Sequence, residues 1–290
     1  MTTETDLKHP TNTKTFRTAT WLGWLIESNW TDPFVFALYS LIVPMAGAAI
    51  LVVMYMVIRG GNFSDPDFVN IFIGNAFSRL ANSVIQGVSY GILDDREHYR
   101  TLKYLYIAPI RIPVYLIGRS VATVLISMIS VILILIFGLV FLHIPLSLAS
   151  VNWGLLLIAL FLGMICFTAM GIFLGGWTLL IKNNPYQIGT AVGTGLFLFS
   201  GAIFPLSVLP TALRYLGYAL PLSYWYTLVR RALLGETGRS LPMFPGLSDG
   251  QLVLILAGFA LLTGGLALLT YGWFDKVARD RGNIDMISNY

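Results

Sequence analysis

Five uncharged runs of roughly 20 residues or more divide this chain: Phe34 to Ile58, Ser120 to Leu142, Leu155 to Ile181, Ile188 to Val208 and Leu252 to Phe274. A helix needs about 20 apolar residues to cross the hydrocarbon of a bilayer, and there every backbone N–H and C=O must find its partner within the structure. The runs therefore predict spanning helices, and the fold class is all-α integral membrane. Only 11% of the 290 residues are charged and the mean hydropathy is +0.75, against about 25% charged in soluble domains, which excludes a soluble globular fold. A sixth run, Phe68 to Tyr90, carries Arg79 and brings the expected number of transmembrane helices to six.

That sixth run has a polar face. Asn75, Arg79, Asn82, Gln86 and Ser89 recur at steps of four, three, four and three, so they share one stripe of a helix, while Phe77, Leu80, Ala81, Val84, Ile85 and Val88 share the opposite one. An arginine at the membrane centre costs about 2.5–3.5 kcal/mol on insertion scales, so such a residue faces protein or a wet cavity. Two readings stay open: a helix lining a transport path or a subunit interface, or a stripe satisfied by neighbouring helices. Gly171 and Gly175, like Gly189 and Gly193, have the small-xxx-small spacing of close helix packing; Thr190 and Thr194 stand beside the second pair.

Charge is concentrated between the second and third spans. Asp94, Asp95, Arg96, Glu97, Arg100, Lys103 and Arg111 form the one dense charged island, with His98, Tyr99, Thr101 and Leu102 between them. Acidic and basic side chains interleaved on a short surface segment read as docking charges rather than a metal cluster. Arg119, one turn inside the third span, is expected to snorkel to the same side.

The remaining chain supplies boundaries and orientation. Residues 1–15 are a polar tail; Phe16 to Trp30 carries Trp21, Trp24 and Trp30 among polar residues, the pattern of a helix lying in the membrane interface. Asp32–Pro33 is a helix start signal, Gly60 to Asp67 a turn-rich loop, and Pro44 predicts a kink in the first span. From Phe204 to Gly246 prolines separate apolar segments of about ten residues, suited to re-entrant or interfacial helices. With the amino terminus inside, the inner segments hold twelve cations (Lys8, Lys14, Arg17, Arg96, Arg100, Lys103, Arg111, Arg119, Lys182, Lys276, Arg279, Arg281) and the outer ones five (Arg59, Arg214, Arg230, Arg231, Arg239). Both termini and the charged island are then cytoplasmic. The same distribution accounts for the net charge of +4 without nucleic acid.

Several chemistries lack their residues. Without a Gly-Lys pair there is no phosphate-cradling GxxxxGK[ST] loop; there is no HExxH; the three histidines are dispersed; Cys166 is alone; and no acidic residue lies within a span. No catalytic residue, metal site or cofactor on this chain is expected, and energy for transport must come from outside it. An intramembrane lipid-modifying enzyme would need convergent nucleophile, base or metal groups; a non-transporting membrane anchor or sensor subunit remains a further alternative.

Two motifs carry a resemblance. Asp95-Arg96-Glu97-His98-Tyr99-Arg100-Thr101-Leu102, ending in Ala108-Pro109, is similar to the acidic loop between spans two and three in permease subunits of type 2 ABC exporters, although Tyr99-Arg100 stands in place of the family's glycine and Lys103 in place of its following glutamate. Ser200-Gly201-Ala202-Ile203-Phe204-Pro205, then Leu209-Pro210, Pro221-Leu222-Ser223-Tyr224, Arg230 and Gly235, resembles the family's region after span five. The resemblance implies a transmembrane domain over 16–276 between cytoplasmic tails at 1–15 and 277–290. It implies a coupling helix at about 94–107 that contacts a cytoplasmic ABC ATP-binding subunit, where ATP and Mg bind. It further implies a re-entrant helical hairpin at about 205–235 whose Phe204, Pro205, Pro210, Pro221 and Tyr224 close the outer end of a path lined by Asn75, Arg79, Asn82, Gln86, Thr190 and Thr194. The implied assembly is a dimer with a second copy or paralogue, surrounded by membrane lipid, that exports an amphipathic or lipid-like substrate (drug, lipid or glycolipid) across the cytoplasmic membrane.

Overall fold

In a computed structural model of the protein, the residues described are 12–28, 33–108, 110–181, 184–235, 238 and 243–282. The expected tail before residue 12, Trp30, the Asp32 cap, Pro109, the 182–183 turn and the tail from 283 lie outside them. Among the described residues these α-helices follow in order: α1 Asn12–Ser28, α2 Pro33–Arg59, α3 Pro66–Glu97, α4 Leu102–Ile107, α5 Ile112–Phe141, α6 Trp153–Thr178, α7 Pro185–Phe199, α8 Thr211–Tyr218, α9 Pro221–Leu234 and α10 Asp249–Asp280. Among the described residues there is no strand.

The helix starts obey local chemistry. Asp65 caps α3 by accepting from the Asp67 N–H at 3.1 Å, with Pro66 at the first helical position. Asn152 accepts from Leu155 N–H at 3.0 Å at the start of α6, and Ser248 with Gln251 forms a reciprocal capping box at α10. Pro185 and Pro221 open α7 and α9.

Among the described residues, four helices contain a segment long and apolar enough to cross a membrane: Ile42–Arg59 in α2, and α5, α6 and α10 in full. Their outward faces are apolar, with Val57 81% and Leu261 80% exposed, as expected where the surrounding solvent is lipid. The chain is thus a multi-pass membrane protein. α2 continues through Pro44.

α3 is the axis of the bundle and packs against α5, α6, α7 and α9. Its 32 residues make a rod of about 48 Å at 1.5 Å per residue, long enough to span, although its polar stripe keeps it less apolar than the others. The apolar stripe Phe77, Leu80, Ala81, Val84, Ile85 and Val88 is buried and meets the glycines of α6. A Cβ at Gly171 would fall 2.8 Å from Ile85 O, and one at Gly175 would fall 2.4 Å from the Ile92 Cδ1. The glycine pairs therefore serve helix packing.

The fifth run, Ile188 to Val208, is not one helix. α7 has 15 residues, about 22 Å, and stops at Phe199. Gly201 turns with φ +72, and Arg230 of α9 donates to the carbonyls of Gly201, at 2.9 Å, and of Ala202. A buried guanidinium thus binds two backbone oxygens that a continuing helix would have used. The region expected to be a hairpin comprises a 3₁₀ turn at Leu206–Val208, the short α8, and α9. α9 is buried along most of its length, with Trp225 and Val229 fully so.

Candidate functional site

A cavity of about 740 Å³ runs alongside the polar stripe of α3. Asn75, Ser78, Arg79, Asn82, Ser83 and Gln86 form one wall, and Thr123, Ser127 and Ser130 of α5 face them. Thr194 of α7, Val43 and Pro44 of α2 and Glu27 of α1 also line it, with Tyr90 and Phe197 among its aromatic contacts. Arg79 reaches the cavity because Gly47 has no side chain: a Cβ there would lie 1.9 Å from Arg79 Nη2. The same Nη2 points to Val43 O at 3.4 Å, a long contact that leaves much of the guanidinium's capacity unused. Arg79 Nε, Asn75 Nδ2 and Asn82 Oδ1 are buried with no hydrogen-bond partner among the described residues. Among the described residues, neighbouring helices therefore leave these three atoms of the stripe unsatisfied. Its polar atoms are placed to bind a polar group entering the cavity, since an unmade buried hydrogen bond costs about 1–3 kcal/mol.

Of the six residues expected along a path, Asn75, Arg79, Asn82, Gln86 and Thr194 come together here. Thr190 does not; its hydroxyl bonds Tyr90 Oη at 2.7 Å. α7 is held close because Gly193 lies against Gln86 and Asn82, and Gly189 against Tyr90. The hydroxyl wall of α5 was not anticipated. Thr123, Ser127 and Ser130 recur at steps of four and three, the same periodic signal as on α3, but submerged in a strongly apolar run.

The charged island is not one exposed segment, and the coupling helix expected at 94–107 is two pieces. Asp94, Asp95, Arg96 and Glu97 are the last turn of α3, and the last three are buried. Asp95 accepts from Arg119 Nη1 at 2.6 Å and from Tyr115 Oη at 3.0 Å, while Arg119 Nη1 also reaches Gly91 O at 3.1 Å. Arg119 thus turns inward, rather than snorkelling, because a buried carboxylate needs its charge compensated. Arg96 pairs with Glu97 and donates to Leu179 O at 3.2 Å; Asp94 accepts from Tyr186 Oη at 2.8 Å. All four side chains are thus engaged within the fold, Asp94 the least buried of them.

Beyond them the chain breaks sharply. Arg100 has φ +53, and Thr101 N–H returns to Asp95 O at 2.8 Å. His98, Tyr99 and Arg100 are exposed, and α4 begins with Leu102 buried and Lys103 outside. Tyr104 and Ile107, at 62% and 81% exposure, continue the outward face. This compact projection, six residues of helix on a strained bend, is anchored by the Asp95 cluster beneath it.

The expected gate residues are spread along the 204–224 region and none lines the cavity. Pro205 precedes the 3₁₀ turn, Pro210 precedes α8 and Pro221 opens α9; Phe204 is half-buried. Tyr224 stacks on Phe244 at 4.5 Å between centroids and donates to Tyr218 O at 3.0 Å. Arg230 and Arg231, counted above with the outer loops, are buried ties: Arg231 holds Leu247 O at 2.7 Å, Phe244 O at 2.9 Å and Asp249 at 3.1 Å. Among the described residues no group of three or more His, Cys, Asp or Glu could hold a metal.

In a comparison with protein families, the ABC-2 type transporter family matches residues 15–234. The match runs from the first turn of α1 to the last residue of α9, so it contains the cavity and the projecting α4. No curated protein matches the chain.

Proposed function

The chain belongs to the ABC-2 type transporter family and is accordingly a permease component that works with an ABC ATP-binding subunit; we propose that it is an exporter. In this reading it moves an amphipathic or lipid-like molecule (a drug, lipid or glycolipid) outward across the cytoplasmic membrane. ATP and Mg bind on the partner subunit, two permease copies or a related pair form the unit, and six spans with both termini inside orient it. The observation that carries the reading is the intramembrane cavity with unpaired polar atoms of Asn75, Arg79 and Asn82. A membrane anchor has no use for such a cavity, whereas a translocator needs polar groups that bind a head group transiently.

Force enters through the projection at 98–107. Rotation of the ATP-binding subunits pushes His98 to Arg100 and α4, and the Asp95–Arg119–Tyr115 cluster passes the displacement to α3 and α5 together. Those two helices carry the facing walls of the cavity, so a shift of one against the other changes its width. The test is co-reconstitution with the ATP-binding subunit in vesicles, using a fluorescent amphipathic drug and a fluorescent phospholipid as probes. Arg79→Gln should reduce probe efflux and probe-stimulated ATP hydrolysis roughly ten-fold or more, the loss expected for a charge-assisted hydrogen bond, with insertion and basal hydrolysis retained. Efflux of both probes at the wild-type rate in Arg79→Gln would remove the cavity from the path.

A further inference from the structure

We propose that the outward face of α1 is a binding site for one anionic phospholipid, with the head group on Lys14 and Arg17 and an acyl chain along Trp21, Trp24 and Leu125. α1 is locked to α5 by its other face, where Thr15, Ala19 and Gly23 are buried at successive steps of four. A Cβ at Gly118 of α5 would fall 2.7 Å from Phe16 O, and one at Gly23 would fall 3.1 Å from Ala122 Cβ. Contact this close leaves α1 little freedom to roll. Its outward face then presents Lys14, Arg17, Trp21 and Trp24, spaced three, four and three apart and therefore in one stripe. These side chains and Leu125 of α5 line an open groove of about 920 Å³.

The order of groups along the groove matches the order of groups in a lipid. Gly118 meets residues 16–20 of α1, and Gly23 meets Arg119 and Ala122, so α1 advances along α5 in the direction of increasing depth. Lys14 and Arg17 lie toward the charged end of the bundle, and Trp24 lies toward Leu125 inside the apolar run. Both cations are exposed, and neither has an ion-pair partner among the described residues. Trp21 is 63% exposed; an indole in that position is suited to the head-group layer, where its ring is shielded and its N–H is wet. Two unpaired cations above an aromatic floor favour a lipid of net negative charge over a zwitterionic one, because the latter's own ammonium competes with them.

The test uses the full chain purified in neutral detergent and titrated with phosphatidylglycerol, phosphatidylcholine or inorganic phosphate, with bound lipid counted by native mass measurement. At low salt the wild type should prefer phosphatidylglycerol roughly 30-fold over phosphatidylcholine, about five-fold for each basic residue. The preference should shrink as salt screens the cations. Lys14→Gln with Arg17→Gln should bring it close to one while leaving phosphatidylcholine binding and the unfolding temperature unchanged, since both side chains are exposed. Equal binding of the two lipids by the wild type would overturn the proposal, as would an undiminished preference in the double variant. Displacement of phosphatidylglycerol by inorganic phosphate at similar concentration would also overturn it, because the acyl chain would then contribute nothing.

Discussion

At the scale of single residues, the charged island separates into two kinds of charge that sequence order does not distinguish. Asp95 and Arg119 are a buried pair with Tyr115 as a third member, so removing one partner strands the other charge. Asp95→Ala should cost about 3–5 kcal/mol, read as a large drop in the unfolding temperature of the detergent-purified chain. Arg100→Glu with Lys103→Glu should leave that temperature unchanged, because both side chains are exposed, yet weaken co-purification of the ATP-binding subunit at least ten-fold. Co-purification at the wild-type level would move the contact away from this projection. The presence of charge here was legible, because so little of it occurs elsewhere in the chain. Its burial was not, because the partner that draws Asp95 inward lies 24 residues away on a helix whose own sequence points the arginine toward water.

At the scale of elements, the helices most easily read were those whose signal is local: apolar length for α2, α5, α6 and α10, and the three-four alternation for α3. α7 was overestimated because its stop depends on Arg230, 29 residues downstream, and an uncharged run past Gly201 gives no sign of that guanidinium. α3 also shows how a local cap serves the site, since its position fixes which residues face the cavity. Tyr55's hydroxyl, and secondarily the Asp67 N–H, hold the Asp65 carboxyl below its usual range. A carboxylate with a lower pKa folded than unfolded stabilises above its unfolded value of about 4 and loses that contribution as pH falls through the folded value. Asp65→Ala should therefore cost about 1 kcal/mol at neutral pH, as for other N-caps, and the gap between variant and wild type should close in unfolding scans as pH is lowered below about 4. A gap that persists to pH 2 would mean that the cap does not act through its charge.

At the scale of the whole molecule, the cavity raises the question of what closes it. The α7 face beside it presents Thr190, Ala191, Thr194 and Leu198, all exposed, and Thr194 also lines the cavity. A polar cleft open to lipid leaves unpaired groups in hydrocarbon, at a cost of several kcal/mol each, and small side chains on α7 permit close approach of another helix. A second copy meeting this one across α7 would bury the cleft and double its polar lining about a two-fold axis. α10 offers the contrast, for Leu261, Leu268 and Leu269 are exposed and suited to lipid. The lone Cys166 is buried, so Cys166→Ala gives a clean background for placing single cysteines. In membranes, Thr194→Cys should cross-link to its counterpart with a short bifunctional reagent, and Leu261→Cys should not. Cross-linking confined to the α10 position would place the assembly on the opposite side of the bundle and leave the cavity facing lipid. A product at Thr194 alone, abolished when Ala191→Trp is added to block close approach, would fix the cavity at the centre of a two-fold transporter.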